Sequence, residues 1–307
     1  MPSSSAARPE PPAAAAGALE HVACNLCGED APRRLFEKHG YTIVRCRRCG
    51  LGYVDPRPRR PELVQIYRGE AYYRNKNEQA FGYGDYLRDR VLLEPLFGER
   101  MAAIERRRPA RGRLLDVGCA TGVLLAEARR RGWEVRGCDV SDFAVDYCRQ
   151  RGFEVHHGEV RSAHFPTGSF DVVVTDDTVE HMPDPRAEIR EMHRILAPGG
   201  LLTVNTANEG GWLRFLMGRQ WFHYKPMEHL YYFSPRTLGR LLEECGFHVL
   251  RHELSGKIVT FRYLCARART YSPLLSRALL ATVARTRLAQ RPFFLPIGEF
   301  VVFAEKP

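Results

Sequence analysis

From residue 113 onward, short apolar stretches of strand length alternate with amphipathic helical stretches, and this alternation restricts the fold more than any other feature. "RLLDVG", "EVRGCDV", "FEVHHGEV", "FDVVVTDDT" and "LLTVNTAN" read as strands; "GVLLAEARRRG", "SDFAVDYCRQRG" and "DPRAEIREMHRILAPGG" read as helices. Such strand–helix–strand units are connected by right-handed crossovers, giving a parallel sheet with helices on both faces. One more helix, "SPRTLGRLLEECG", and two more strands, "FHVLRHEL" and "EFVVFAEK", bring the sheet to seven. The last strand is expected to be antiparallel. A helical insert, about 257–294, separates it from the sixth.

In an open sheet of this kind, ligands sit beyond the carboxyl ends of the strands, where the strand order reverses. Asp116, Asp139 and Thr175 fall at three such ends and therefore converge. After Asp116 comes "VGCATG", whose Gly118, Ala120 and Gly122 let a ligand approach the backbone. A dinucleotide fingerprint would place pyrophosphate on these glycines, and a Walker loop would supply a lysine. Here an acid precedes the glycines and no Lys-Ser/Thr pair follows, so a positively charged amine fits better than a phosphate. Asp139, 17 residues past Gly122, suits ribose hydroxyls, because one carboxylate accepts from two neighbouring donors. The ligand implied is a nucleoside with a cationic tail.

These residues resemble the class I S-adenosylmethionine-dependent methyltransferases. "LLDVGCATG" is similar to their first motif and "GCDVS" to their second; "GEVRSAHFPTGSFDVVVTDDTVEHMPDP" and "RILAPGGLLTVNT" are similar to their third to sixth. The resemblance runs from about 110 to 250 and implies a Rossmann-like seven-stranded α/β domain. It places Asp116 at the methionine amine, Gly118, Ala120 and Gly122 against the cofactor, Asp139 at the ribose, and Glu159 with the Val160 amide at the adenine. Ala120 stands where the family usually has glycine, and a slight backbone shift is expected there.

"CNLC" and "CRRC" place Cys24, Cys27, Cys46 and Cys49 in two knuckles with 18 residues between the pairs, the arrangement of a zinc ribbon. Four thiolates would close the coordination of a structural zinc; two disulfides are the alternative. The other cysteines stand singly and read as small buried hydrophobes. The layout is expected to be a disordered tail over 1–20, a ribbon over 21–56, a helical linker or lid over 57–108, and the cofactor-binding domain over 109–307. Ribbon plus methyltransferase, with "CRRCGLGYVDPRP", resembles a bacterial group acting on sugars and secondary metabolites. Sugar C-methyltransferases of that group carry a further C-terminal domain, so O- or N-methylation is expected here.

Methyl transfer from a sulfonium is an in-line displacement, and a hydroxyl acceptor must also lose a proton. His181, in "DDTVEHMPDP", and His229, in "HYKPMEHLYYFSPRTL", are the candidate bases, with Glu180 beside the first. Packing beneath the cofactor would also account for the "EH" pair. Asp177, Glu180 and His181 resemble the divalent-metal cluster of quinone-biosynthesis O-methyltransferases, implying Mg²⁺, although Asp replaces the longer Glu and helix capping explains the acids equally well. The aromatic segment 208–233 suits an acceptor wall, and 70–86 a lid.

Of the 46 basic residues, 41 are arginine, spread along the chain, which favours a solvated surface over a polyanion-binding face despite the net charge of +10. No secretory signal and no long apolar run stand out, so a cytoplasmic enzyme with a small-molecule acceptor is expected. Two other readings stay open: an rRNA methyltransferase gripping substrate with its ribbon, and a non-catalytic binding module. Oligomeric state is not legible.

Overall fold

The computed structural model describes residues 19–67, 70–73, 90–267, 272–283, 289 and 291–307. Most of the expected tail, residues 1–18, and most of the expected lid, residues 74–86, lie outside the described residues.

The N-terminal part is built from short strands: β1 (Leu19–Glu20), β2 (Pro32–Lys38), β3 (Tyr41–Cys46), β4 (Gly52–Val54) and β5 (Arg57–Pro58). β1 pairs with β5, so the last two residues of the expected tail are a strand. Three helices follow: α1 (Arg60–Tyr67), α2 (Glu70–Tyr73) and α3 (Arg90–Arg107). The alternating region then runs β6 (Arg113–Val117), α4 (Val123–Arg130), β7 (Glu134–Asp139), α5 (Asp142–Gln150), β8 (Glu154–His157), β9 (Phe170–Asp176), α6 (Pro185–Ile195) and β10 (Leu196–Ala207). After it come α7 (Trp212–Met217), β11 (Tyr231–Tyr232), α8 (Pro235–Glu244), β12 (His248–Thr260), α9 (Phe261–Arg267), α10 (Pro273–Val283) and β13 (Pro292–Glu305).

The starts of α5, α6 and α8 follow from side-chain capping. The Ser141 hydroxyl accepts from the Ala144 amide, Asp184 accepts from Ala187 with Pro185 in the first turn, and Ser234 and Thr237 form a capping box.

The large sheet has the order β12-β13-β10-β9-β6-β7-β8. Strands β6 to β10 pair in parallel, and β13 is antiparallel to both β10 and β12, as expected of the final strand. From β6 the chain builds outward through β7 and β8, then returns to β9 on the other side. This reversal opens a crevice at the carboxyl ends of β6 and β9. β12 and β13 are longer than "FHVLRHEL" and "EFVVFAEK" indicate: they remain paired out to Thr260 and Pro292, with a register shift between Ser255 and Lys257. Among the described residues, the helical part of the insert is therefore α9 and α10.

The small sheet is not made by the N-terminal part alone. Its order is β11-β4-β3-β2, so its fourth strand comes from the segment after β10. One apolar cluster contains Cys24, Leu51 and Tyr53 together with Val117, Leu202 and Phe233, so both parts share a core. Among the described residues no helix is long and apolar enough to cross a membrane.

Candidate functional site

The crevice at the sheet's reversal is lined by the turn after β6 (Asp116 to Thr121), by Cys138 to Val140 after β7, by Gly158 to Val160 after β8, and by Asp176 to Thr178 after β9. His181, Glu188 and Glu299 complete its polar wall, while Leu63, Tyr67, Leu93 and Leu96 from the helices before β6 cover it.

The turn after β6 is folded against β7. The Gly118 and Cys119 amides donate to the Cys138 carbonyl at 2.8 and 3.2 Å, and the Ala120 amide donates to Asp139 Oδ2 at 2.9 Å. Gly118 has φ 77°, and a Cβ there would lie 2.4 Å from Thr178 Oγ1, so only glycine fits. Ala120 adopts φ 46°, a left-handed conformation that costs an L-residue energy and that glycine would take freely. Asp139 also accepts from the Ser141 amide at 2.9 Å. Each of its oxygens thus holds one backbone amide and keeps lone-pair capacity for a ligand hydroxyl.

The electrostatics are one-sided. Asp116 is buried and its acidity is weakened well beyond the usual carboxylate range, by desolvation first and then by Asp176 and Asp139. Asp139 is shifted upward by burial as well. Glu188 is pushed up to about 8 by burial and by Glu159. Against these acids stand Arg100, 2.9 Å from Asp176, and Arg60, paired with Glu159. A cleft so rich in desolvated carboxylates favours a cationic ligand.

On the cleft's far side His181, Glu180 and His229 come together. One ligand-capable atom from each lies within 4.8 Å of the others. The His181 and His229 rings meet edge-on with centroids 4.7 Å apart. His181 Nδ1 lies 2.8 Å from the Glu228 carbonyl and 2.8 Å from the Tyr67 hydroxyl. A carbonyl only accepts, so Nδ1 carries the proton and Nε2 is left unprotonated. Burial holds the His181 pKa below its ordinary value and keeps the ring neutral near pH 7. Glu180 is pushed up to about 8 by burial and by Asp177. Asp177 accepts from Asn205 Nδ2 at 3.0 Å and is not part of the Glu180–His181–His229 group.

The structure therefore gathers Asp116, Gly118, Ala120, Asp139, Glu159, Val160 and His181 around one crevice. Gly122 stands behind them as the left-handed N-cap of α4. Glu180 and His229 are buried behind His181. Thr175 is completely enclosed within β9 and does not line the crevice. Tyr67, Glu188 and Glu299 are additional polar groups at the site. A glutamate opening the apolar run "EFVVF" is the one local signal that could have pointed to Glu299.

The four knuckle thiols form a second cluster, all mutually within 4.8 Å. Cys24 and Cys49 sulfurs are 3.4 Å apart and Cys27 and Cys46 3.5 Å. Tetrahedral zinc with bonds near 2.3 Å requires sulfurs about 3.8 Å apart, so the set fits that ion. The five other cysteines are buried singly or near one another in the core.

A family model described as "Methyltransferase domain" matches residues 87–252. Malonyl-[acyl-carrier protein] O-methyltransferase of Serratia marcescens is 28% identical over 175 residues, 56% of this chain and 66% of that protein. Ubiquinone biosynthesis O-methyltransferase of a Caulobacter strain is 35% identical over 122 residues, 36% of this chain and 48% of its own length. The chain thus spans about half to two thirds of these curated relatives. The crystal structure of an S-adenosylmethionine-dependent methyltransferase from Archaeoglobus fulgidus superposes with a TM-score of 0.50 at 19% identity, covering 72% of this chain and 99% of that one, a likeness of fold alone.

Proposed function

The chain belongs to the methyltransferase-domain family, and on that premise we propose that it transfers a methyl group from S-adenosylmethionine to a hydroxyl of a small molecule. The observation that carries this reading is the concentration of buried carboxylates at the sheet's reversal, with Asp116 at its centre. Bound there, the donor would supply an electrophilic methyl on a sulfonium. Asp116 would take the donor's amine, the backbone from Gly118 to Ala120 would lie against its chain, Asp139 would accept from the ribose hydroxyls, and Glu159 with the Val160 amide would meet the adenine. On the acceptor side, neutral His181 is the group fitted to take the hydroxyl proton on Nε2, with the Glu228 carbonyl fixing its tautomer and the Tyr67 hydroxyl beside Nδ1. His229 packs edge-on behind it.

The acceptor class we favour is a sugar, glycan precursor or secondary metabolite, on the resemblance of the ribbon-plus-methyltransferase layout. The aromatic segment 208–233 does not serve as the expected acceptor wall, since none of it lines the crevice and Trp221, Tyr224, Tyr231, Tyr232 and Phe233 are buried in the core. Cys24, Cys27, Cys46 and Cys49 would hold a structural zinc. The small sheet packs through Ile43 and Val54 on Trp221, Tyr224 and Tyr232 and carries β11 on its edge, which supports a small molecule over RNA as substrate.

Calorimetry of zinc-loaded protein with S-adenosylhomocysteine tests the reading: one site is expected, and no heat on folded protein would end it. Asp139→Ala is expected to weaken that binding by roughly 1–3 kcal/mol, the range for a lost hydrogen bond to a charged group; unchanged affinity removes the ribose role.

A divalent ion at the acceptor side is the second reading, favoured by the proximity of Glu180, His181 and His229. Its ligands would then differ from the Asp177–Glu180–His181 set, since Asp177 is held by Asn205. With proton transfer by His181, titrating Mg²⁺ or Mn²⁺ into protein whose ribbon is zinc-loaded should give no saturable binding. Stoichiometric binding, abolished by His229→Ala, would instead assign these three residues to an ion.

A further inference from the structure

His181 and His229 come from loops 48 residues apart in sequence, and something must hold their rings edge-on. Two bonds tie the loops directly, the Leu230 amide donating to the Glu180 carbonyl at 2.8 Å and His181 Nδ1 to the Glu228 carbonyl at 2.8 Å, and a further connection runs through the N-terminal part. Arg57 is buried at the exit of the small sheet, and its Nη1 donates to the Pro183 carbonyl at 2.9 Å and to the Tyr231 hydroxyl at 2.8 Å. Tyr231 in turn donates to the Pro183 carbonyl at 3.1 Å, closing a triangle. Pro183 is two residues past His181, and Tyr231 is two residues past His229. Tyr231 is also the residue through which β11 pairs with Tyr53 of β4. Arg57 Nε is held by Glu20 of β1 at 3.0 Å. The first cysteine knuckle grips the same loop: Asn25 donates to Asp184 at 2.9 Å and receives the Arg186 amide at 2.9 Å, while the Arg186 guanidinium donates to the Asn25 and Leu26 carbonyls.

We propose that Arg57 is a positioning residue that, anchored by the four-cysteine ribbon, sets the placement of His181 against His229 through Pro183 and Tyr231. A buried guanidinium suits this task because its planar fork presents several donors in fixed directions, and lysine cannot reproduce that geometry. Arg57 then acts on the acceptor half of the site, while the cofactor half is tied to this part of the chain by a different pair, Arg60 with Glu159. The inference rests on the methyl-transfer reading only in regarding the two histidines as acceptor-side groups.

The test uses full-length, zinc-loaded protein with histidine rings isotopically labelled, and S-adenosylhomocysteine as the probe ligand. In the wild type, nuclear Overhauser contacts between the His181 and His229 ring protons are expected, assigned by single His→Gln variants. In Arg57→Gln, those contacts should fall by at least half, while S-adenosylhomocysteine affinity stays within about twofold and zinc remains at one per chain. Arg57→Lys should recover little of the contact. Tyr231→Phe removes only one hydroxyl and serves if Arg57→Gln does not fold; it should weaken the contact in the same direction. Wild-type contact intensity in folded Arg57→Gln, or in Tyr231→Phe where the first does not fold, overturns the proposal. Failure of the wild type to bind S-adenosylhomocysteine is a separate result, which would end the methyl-transfer reading and leave the ring measurement standing.

Discussion

Cys24→Ser should take the zinc content from one per chain to near zero and lower stability by several kcal/mol, because the binding energy of a structural zinc is folding energy. The expected loss exceeds that of an isolated ribbon coming undone. Cys24 is buried in the cluster that includes Val117, Leu202 and Phe233, and β4 carries β11 on its edge. Unravelling the knuckles would therefore expose apolar surface of the catalytic half and release the strand that follows His229. Metal analysis and thermal unfolding of the two proteins decide the matter, with Cys265→Ser, a buried cysteine remote from the knuckles in sequence, as the control. A zinc-free Cys24→Ser protein unfolding at the wild-type temperature would contradict both the ribbon assignment and its structural role. Salt-sensitive binding of total RNA by the wild type would revive the nucleic-acid reading in its place.

The parts of this architecture legible in the sequence are those with short-range signals. Period and capping residues marked the strands and helices from β6 to β10, and the convergence of Asp116 with Asp139 followed from parallel topology alone. Knuckle spacing marked the four cysteines in the same way. What escaped the sequence is long-range. β11 is two tyrosines pairing with a strand 178 residues earlier, Tyr231 opposite Tyr53, and no local pattern encodes such a partner. Thr175 was placed at the ligand because it ends an apolar run, but strands pleat, and the side chain at that register turns into the sheet's packing. Tyr67 gives no signal because its role depends on α1 folding over His181. The extra length of β12 and β13 was hidden by the glycine-interrupted stretch "LSGKIVT", where a register shift lets pairing continue past Gly256.

Asp116→Asn is expected to separate folding from function more sharply than any other change. The folded-state pKa of Asp116 lies above its unfolded value, so the folded protein without ligand holds a proton there that the unfolded chain has already released. Such a group contributes its stability below the unfolded pKa, near 4, and that contribution is lost as pH rises toward the folded value. Ligand-free wild type should therefore lose stability from about pH 4 upward, with a slope of up to about 1.4 kcal/mol per pH unit from this residue. Asparagine cannot ionise, so the variant should unfold at a higher temperature than the wild type at pH 7 and show a flatter pH profile. Binding moves the other way. A carboxylate facing an ammonium group contributes about 1.5–3 kcal/mol, less the cost of releasing the proton that ligand-free Asp116 holds, so S-adenosylhomocysteine affinity should fall by up to roughly 150-fold in the variant, and by more at pH 8 than at pH 5. Its stabilisation by saturating ligand should shrink accordingly. Thermal unfolding from pH 5 to 8, with and without the ligand, measures both effects on one sample. A variant that is less stable at pH 7 and binds as tightly as the wild type would show that Asp116 serves the core and not a cation, and the case for a sulfonium nucleoside at this crevice would fall with it.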